Sequence, residues 1–297
     1  MILVLAAGTC WGVIGLFSHS LAAAGFSALE IAALRCMVAG LAALAALLIK
    51  DRSLLKVRLR DLWMFAGTGI LSFAMFNVLY FLCMQKSTLA VSCTLLYTGP
   101  CFVAALACLL FKERFTGRKA CAIVLCMLGC AFMTGLIGEG GRYSAAAIAI
   151  GIGSGFCYAL YSIFGRVALA KYHEYTVVTY TFVFATLALL PFCRMKVAAE
   201  IITQGGGIAV NILLLGLACT LLPFLLYTKG LQKLETGKAA ILAFAEPLVA
   251  TVLGTTILKE PFGIARALGI AAVLAAIMLL AKADSTGIEK QANPVSA

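Results

Sequence analysis

The sequence predicts an all-α integral membrane protein, with ten transmembrane helices arranged as two inverted-topology five-helix repeats. Three observations carry that expectation. First, 63% of the 297 residues are hydrophobic and only 12% are charged, with a mean hydropathy of +1.07. A globular domain carries about 25% charged residues. Second, the charges fall in short clusters between uncharged runs. Leu62–Met84, Ser87–Phe111, Tyr143–Gly165 and Ile201–Thr228 each lack Asp, Glu, Lys and Arg, and each is long enough to cross a bilayer. Third, the chain repeats itself without a gap. Gly8, Phe17, Tyr80, Gln85, Lys86, Pro100 and Glu113 recur 147 positions later as Gly155, Phe164, Tyr227, Gln232, Lys233, Pro247 and Glu260. Five spans per copy is an odd number, so the second copy must insert upside down, a construction that recurs in secondary transporters.

The spans follow in order. The first, 2–19, starts without a basic leader and is followed by further spans, so it is expected to be an anchor, not a cleaved signal. The second, 29–49, runs into the cluster Lys50–Asp51–Arg52. The third, 62–84, and fourth, 88–111, are joined by a tight hairpin at Gln85–Lys86, and the fourth ends at Lys112–Glu113–Arg114. The fifth, 119–137, completes the first copy. The sixth, 144–165, lies between Arg142 and Arg166, and the seventh, 175–193, between Glu174 and Arg194. The eighth, 206–228, stops at Lys229, and the ninth, 237–258, turns tightly at Lys259–Glu260. The tenth, 262–281, starts after Pro261, which the first turn of a helix tolerates. The division is therefore 1–137 for the first repeat, 138–283 for the second, and 284–297 for a short polar tail.

Lysines and arginines set the orientation. With the N-terminus inside, 16 of them lie on the inner side, Lys282 and Lys290 included. Six lie outside: Lys86, Arg142, Arg194, Lys196, Lys259 and Arg266. Both termini are expected in the cytoplasm, with the protein in a bacterial-type inner or plasma membrane.

Several function classes are excluded. The net charge of +11 is scattered along membrane borders with no soluble domain to form a groove, so nucleic acid is not an expected partner; anionic lipid headgroups account for the charge. Most of the twelve cysteines lie in apolar spans without a CxxC pair, and the two histidines, His19 and His173, stand near span ends. Neither a metal site, a cofactor nor a hydrolytic triad is expected. The glycine-rich stretches lack the Lys-Ser/Thr ending of a phosphate loop.

Glu246 is the foremost candidate for substrate binding or coupling. It stands inside the ninth span, where a bare carboxylate costs several kcal/mol. It can therefore carry a proton or bind a cationic group; equally, it can be a structural glutamate bonding the backbone that Pro247 loosens. Its mate in the first half is Gly99, so the pseudo-symmetry breaks here. Pro100, Pro247 and Pro223 are candidate kinks, the first two freeing a carbonyl about one turn earlier. Arg35, within the second span, is expected either to anchor structure or to meet a substrate carboxylate; Glu30 is five residues away, on the wrong face to pair with it. Glu113 and Glu260, at the ends of spans four and nine, are expected to cap the helices that follow. Trp11, Asn77, Tyr80, Tyr97, Tyr158 and Tyr227 are candidates for a central aromatic-lined pocket, and Gly8, Gly12, Gly151 and Gly155 for close helix crossings.

This pattern resembles the drug/metabolite transporter superfamily, specifically its EamA-type ten-span carriers. The resemblance runs over about residues 1–283 in two copies. It rests on Ala6–Gly8 with Trp11-Gly12, Arg35 in Ala-Leu-Arg, Pro100 through Glu113 with Gly129, and Glu246-Pro247 through Glu260 with Gly269. The second copy departs from it, with no Trp-Gly and with Phe182 where the first has Arg35. The resemblance implies a cavity lined by helices 1, 3, 4, 6, 8 and 9, complete within one polypeptide. It also implies export of a small molecule such as an amino acid or an aromatic or weakly basic compound, with proton coupling or facilitated diffusion both open. Uptake by the same fold is the alternative, and a membrane enzyme or scaffold a more distant one.

Overall fold

The computed structural model describes residues 1–136, 143–203, 205–259 and 262–292, with side chains to 281. Glu260, Pro261 and Arg142 lie outside the described residues, as do the side chains of Lys282 and Lys290 and the end of the tail. Among the described residues, nine helices are long and apolar enough to cross a membrane. These are α1 Ile2–Ala23, α2 Ala28–Lys50, α3 Leu59–Lys86, α4 Leu89–Phe111, α6 Ala145–Leu169, α7 Glu174–Phe192, α8 Gly206–Lys233, α9 Thr236–Thr256 and α10 Ile264–Ala281. Between α4 and α6 stands α5, Gly117–Met133, with 17 residues. That is near the lower limit for a span.

Local chemistry starts these helices. Ser27 and Glu30 form a reciprocal capping box on α2, and the hydroxyls of Thr88, Thr116 and Ser144 cap α4, α5 and α6. Glu30 also accepts two hydrogen bonds from the Arg194 guanidinium, at 2.8 and 3.0 Å. That carboxylate raises the affinity of Arg194 for its proton. Large aliphatic side chains such as Leu41, Ile49, Leu109, Leu187 and Ile264 stay exposed, which suits an acyl-chain environment and no aqueous one.

The backbone irregularities come in pairs separated by the sequence repeat. Wide π turns occupy Gly67–Ala74 in α3 and Leu217–Leu221 in α8. α4 breaks between Leu96 and Gly99, and α9 between Leu242 and Ala245. Lys112 and Lys259, equivalent positions, both take left-handed backbone, φ 55° and 57°. Pro223 stands just past the π turn of α8, in the first turn of the resumed α-helix, a position that tolerates proline. The packing is reciprocal too. α1 lies against α8 and α9 as α6 lies against α3 and α4, while α2 pairs with α7 and α5 with α10.

Candidate functional site

The site forms where two helices break. Pro100 and Pro247 sit at the start of the resumed helices in α4 and α9, since neither can donate to the preceding turn. The breaks are closed off by glycines on crossing helices. A Cβ on Gly155 would stand 2.6 Å from Thr98 Oγ1 and 3.0 Å from the Leu96 carbonyl. One on Gly8 would stand 3.0 Å from the Ala243 carbonyl, and one on Gly12 only 2.7 Å from that of Glu246. The carbonyls one turn before the prolines therefore abut a glycine of the other half's first helix.

Glu246 opens the resumed helix of α9 and borders a cavity of about 10 Å³, with Tyr97, Pro100, Tyr158, Ala240, Ala243 and Phe244 around it. That is room for about one water. Among the described residues its carboxylate makes no hydrogen bond or ion pair to another side chain. Tyr80, Tyr97 and Tyr158 all lie within electrostatic reach of it. Each of these four side chains is half-buried. The Tyr80 hydroxyl meets Cys93 Sγ at 2.8 Å, Tyr97 packs on Phe244 at 5.5 Å between ring centroids, and Tyr158 on Phe76 at 5.7 Å.

Arg35 faces the same region from α2. It is only 9% exposed, so it does not snorkel to the headgroups. Its guanidinium rests 5.0 Å from the centroid of the Phe73 ring, with Nη2 donating to Asn77 Oδ1 at 3.4 Å. Asn77 is fixed in turn by its own donation to the Phe73 carbonyl at 2.7 Å, just past the π turn of α3. Arg35 and Glu246 attract one another electrostatically without forming an ion pair.

Two other expected residues lie elsewhere. Trp11 and Tyr227 belong to a buried aromatic cluster with Phe224, at centroid distances of 5.1 Å from Trp11 to Phe224 and 5.4 Å from Trp11 to Tyr227. The Tyr227 hydroxyl is committed to Ser162 at 2.7 Å.

The expectation that Glu113 caps the following helix is corrected. Its carboxylate accepts from the backbone N–H of Thr236 at 2.6 Å and of Gly237 at 3.1 Å, so it caps the start of α9 in the other half. Thr116 already serves α5, and the left-handed Lys112 turns the chain away from it. Lys119 bridges Glu113, at 3.8 Å, and Glu235, at 2.7 Å. The same expectation for Glu260 falls outside the described residues.

Phe73, Cys93 and Phe244 were not among the expected site residues. Phe244 could have been found, because it is the repeat mate of Tyr97. Phe73 and Cys93 carry no local signal; only the packing of α2 on α3 and of α3 on α4 gives them a role.

The model of the EamA-like transporter family matches twice, over residues 1–135 and 145–282. An uncharacterized transporter of Archaeoglobus fulgidus is 25% identical over 86% of this chain and 89% of its own length. The uncharacterized transporter YwfM of Bacillus subtilis is 24% identical, covering 94% and 93%. The threonine/homoserine exporter RhtA of Escherichia coli is 29% identical over 68% of this chain and 65% of its own. A solved crystal structure with 16% identity superposes with a TM-score of 0.76 over 94% of both chains, a likeness of fold.

Proposed function

Because the chain belongs to the EamA-like transporter family, we propose a secondary transporter that exports small metabolites, such as amino acids or aromatic or weakly basic compounds, by alternating access. The observation that carries this reading is the pair of helices broken at equivalent positions, one of which presents Glu246, unpaired among the described residues, to a cavity. Broken helices at the centre of a duplicated bundle are where secondary transporters hold their cargo. The reciprocal packing of the two halves and the two stretches matched by the family model support two inverted five-helix repeats with ten spans, α5 the shortest, divided near residue 137.

A cavity of about 10 Å³ is too small for a metabolite, so cargo enters only after the bundle rearranges. Glu246 and the half-buried Tyr80, Tyr97 and Tyr158 form the binding wall, and Asn77 holds Arg35 beside it. Trp11 and Tyr227 back this wall through their aromatic cluster. The charge asymmetry supports cytoplasmic termini in a bacterial-type cell membrane. One polypeptide supplies both broken helices, and we take a monomer to be sufficient on this reading. The named activity of RhtA favours export over uptake.

The test compares small molecules inside and outside cells that carry wild-type protein, E246Q or empty vector. A compound that accumulates outside only with wild-type protein supports the reading. A solute that rises inside instead replaces export by uptake.

A further inference from the structure

The transporter reading leaves several classes of cargo open, and the charges at the site choose among them. Arg35 is nine-tenths buried, yet of its five N–H donors the described structure pairs only one, at 3.4 Å, with Asn77. A guanidinium withdrawn from water needs an acceptor set richer than that, and a bidentate carboxylate is its best geometric match. Glu246, across the same region, has no hydrogen-bond donor on its carboxylate among the described residues. Each is thus an underpaired charge, and the two have opposite signs. They do not satisfy each other, because Asn77 and the face of Phe73 hold Arg35 on the α2–α3 side while the break in α9 holds Glu246 on the other. Tyr97 and Tyr158 line the cavity beside Glu246, and among the described residues no other charged side chain lines it.

Resting on the transporter reading, we infer that Arg35 and Glu246 form a two-point clamp for a zwitterion, Arg35 taking its carboxylate and Glu246 its ammonium. The clamp selects a solute with both charges near one carbon, an α-amino acid, over a simple amine or a simple acid. Either truncated analogue would leave either the buried Arg35 or the half-buried Glu246 without its partner, a loss large against the binding of the rest of the molecule. Asn77 is a positioning residue in this arrangement; it reaches the cargo only through Arg35.

The experiment uses purified full-length chain in liposomes loaded with the common L-amino acids, their decarboxylated amines and their deaminated acids, with efflux followed by mass spectrometry. At least one amino acid should leave about tenfold or more faster than both of its truncated partners. R35Q should abolish the preference over the amine, and E246Q the preference over the acid. Should R35Q fail to fold, R35K retains the cation and is expected to retain the preference over the amine with a slower rate. An amine leaving as fast as its parent amino acid overturns the clamp. So does the absence of any amino acid efflux, and in that case the cell comparison above decides separately whether another solute is carried.

Discussion

Two carboxylates with opposite circumstances define the residue scale. Glu113 is fully engaged, with two backbone donors and Lys119, and it joins α4 to α9 across the repeat. E113A should cost about 1–2 kcal/mol of stability through the lost cap, with Lys119 left to Glu235 and the Arg114 carbonyl; thermal unfolding in detergent measures it, and an unchanged midpoint would remove Glu113 from the architecture. Glu246 is the reverse case, its carboxylate having no bond to lose among the described residues. E246Q is expected to leave stability within about 0.5 kcal/mol of wild type while transport falls at least tenfold. Wild-type flux from E246Q would return the residue to a purely structural part. The candidacy of Glu246 was legible in the sequence because a carboxylate inside an apolar run is costly wherever the run folds. The partner of Glu113 was not, because it lies 123 residues away and capping signals are read only from neighbours.

At the scale of the elements, the glycine crossings set how closely α1 and α6 approach the two breaks. G155A places a methyl 2.6 Å from Thr98 Oγ1, so it should destabilise the protein by about 1–3 kcal/mol. G15A meets nothing within 4 Å and should be neutral or slightly stabilising. Equal effects from both would mean that the crossings tolerate more than their geometry allows. The breaks themselves were legible from Pro100 and Pro247, and the spans from their uncharged runs. The π turns of α3 and α8 were not. Neither carries a proline within it, and they arise where Gly67 and Gly69 let Phe164 and the α7 backbone press against α3, and Gly216 lets Val38 press against α8. The role of Arg35 was half legible. The sequence left it between an anchor and a carboxylate contact, and only the Asn77–Phe73 seat shows why it stays away from the headgroups.

For the whole molecule, the duplication and the positive residues together predict which loops face which compartment. With native cysteines replaced, K196C should react with an impermeant maleimide in intact cells, whereas S53C should react only after permeabilisation; both positions are exposed. The reverse pattern would invert the membrane orientation and leave the fold intact. The two halves match in their breaks, their wide turns and their left-handed lysines, but they differ at the decisive position. A side chain at Gly99, the mate of Glu246, would collide with Tyr158, whose ring stands 2.8 Å from where its Cβ would lie. The copying that doubled the helices therefore left a single acidic berth. On the proposed mechanism this fixes a stoichiometry: one cationic group, from cargo or proton, is ferried per turnover, however steep the gradient that drives it.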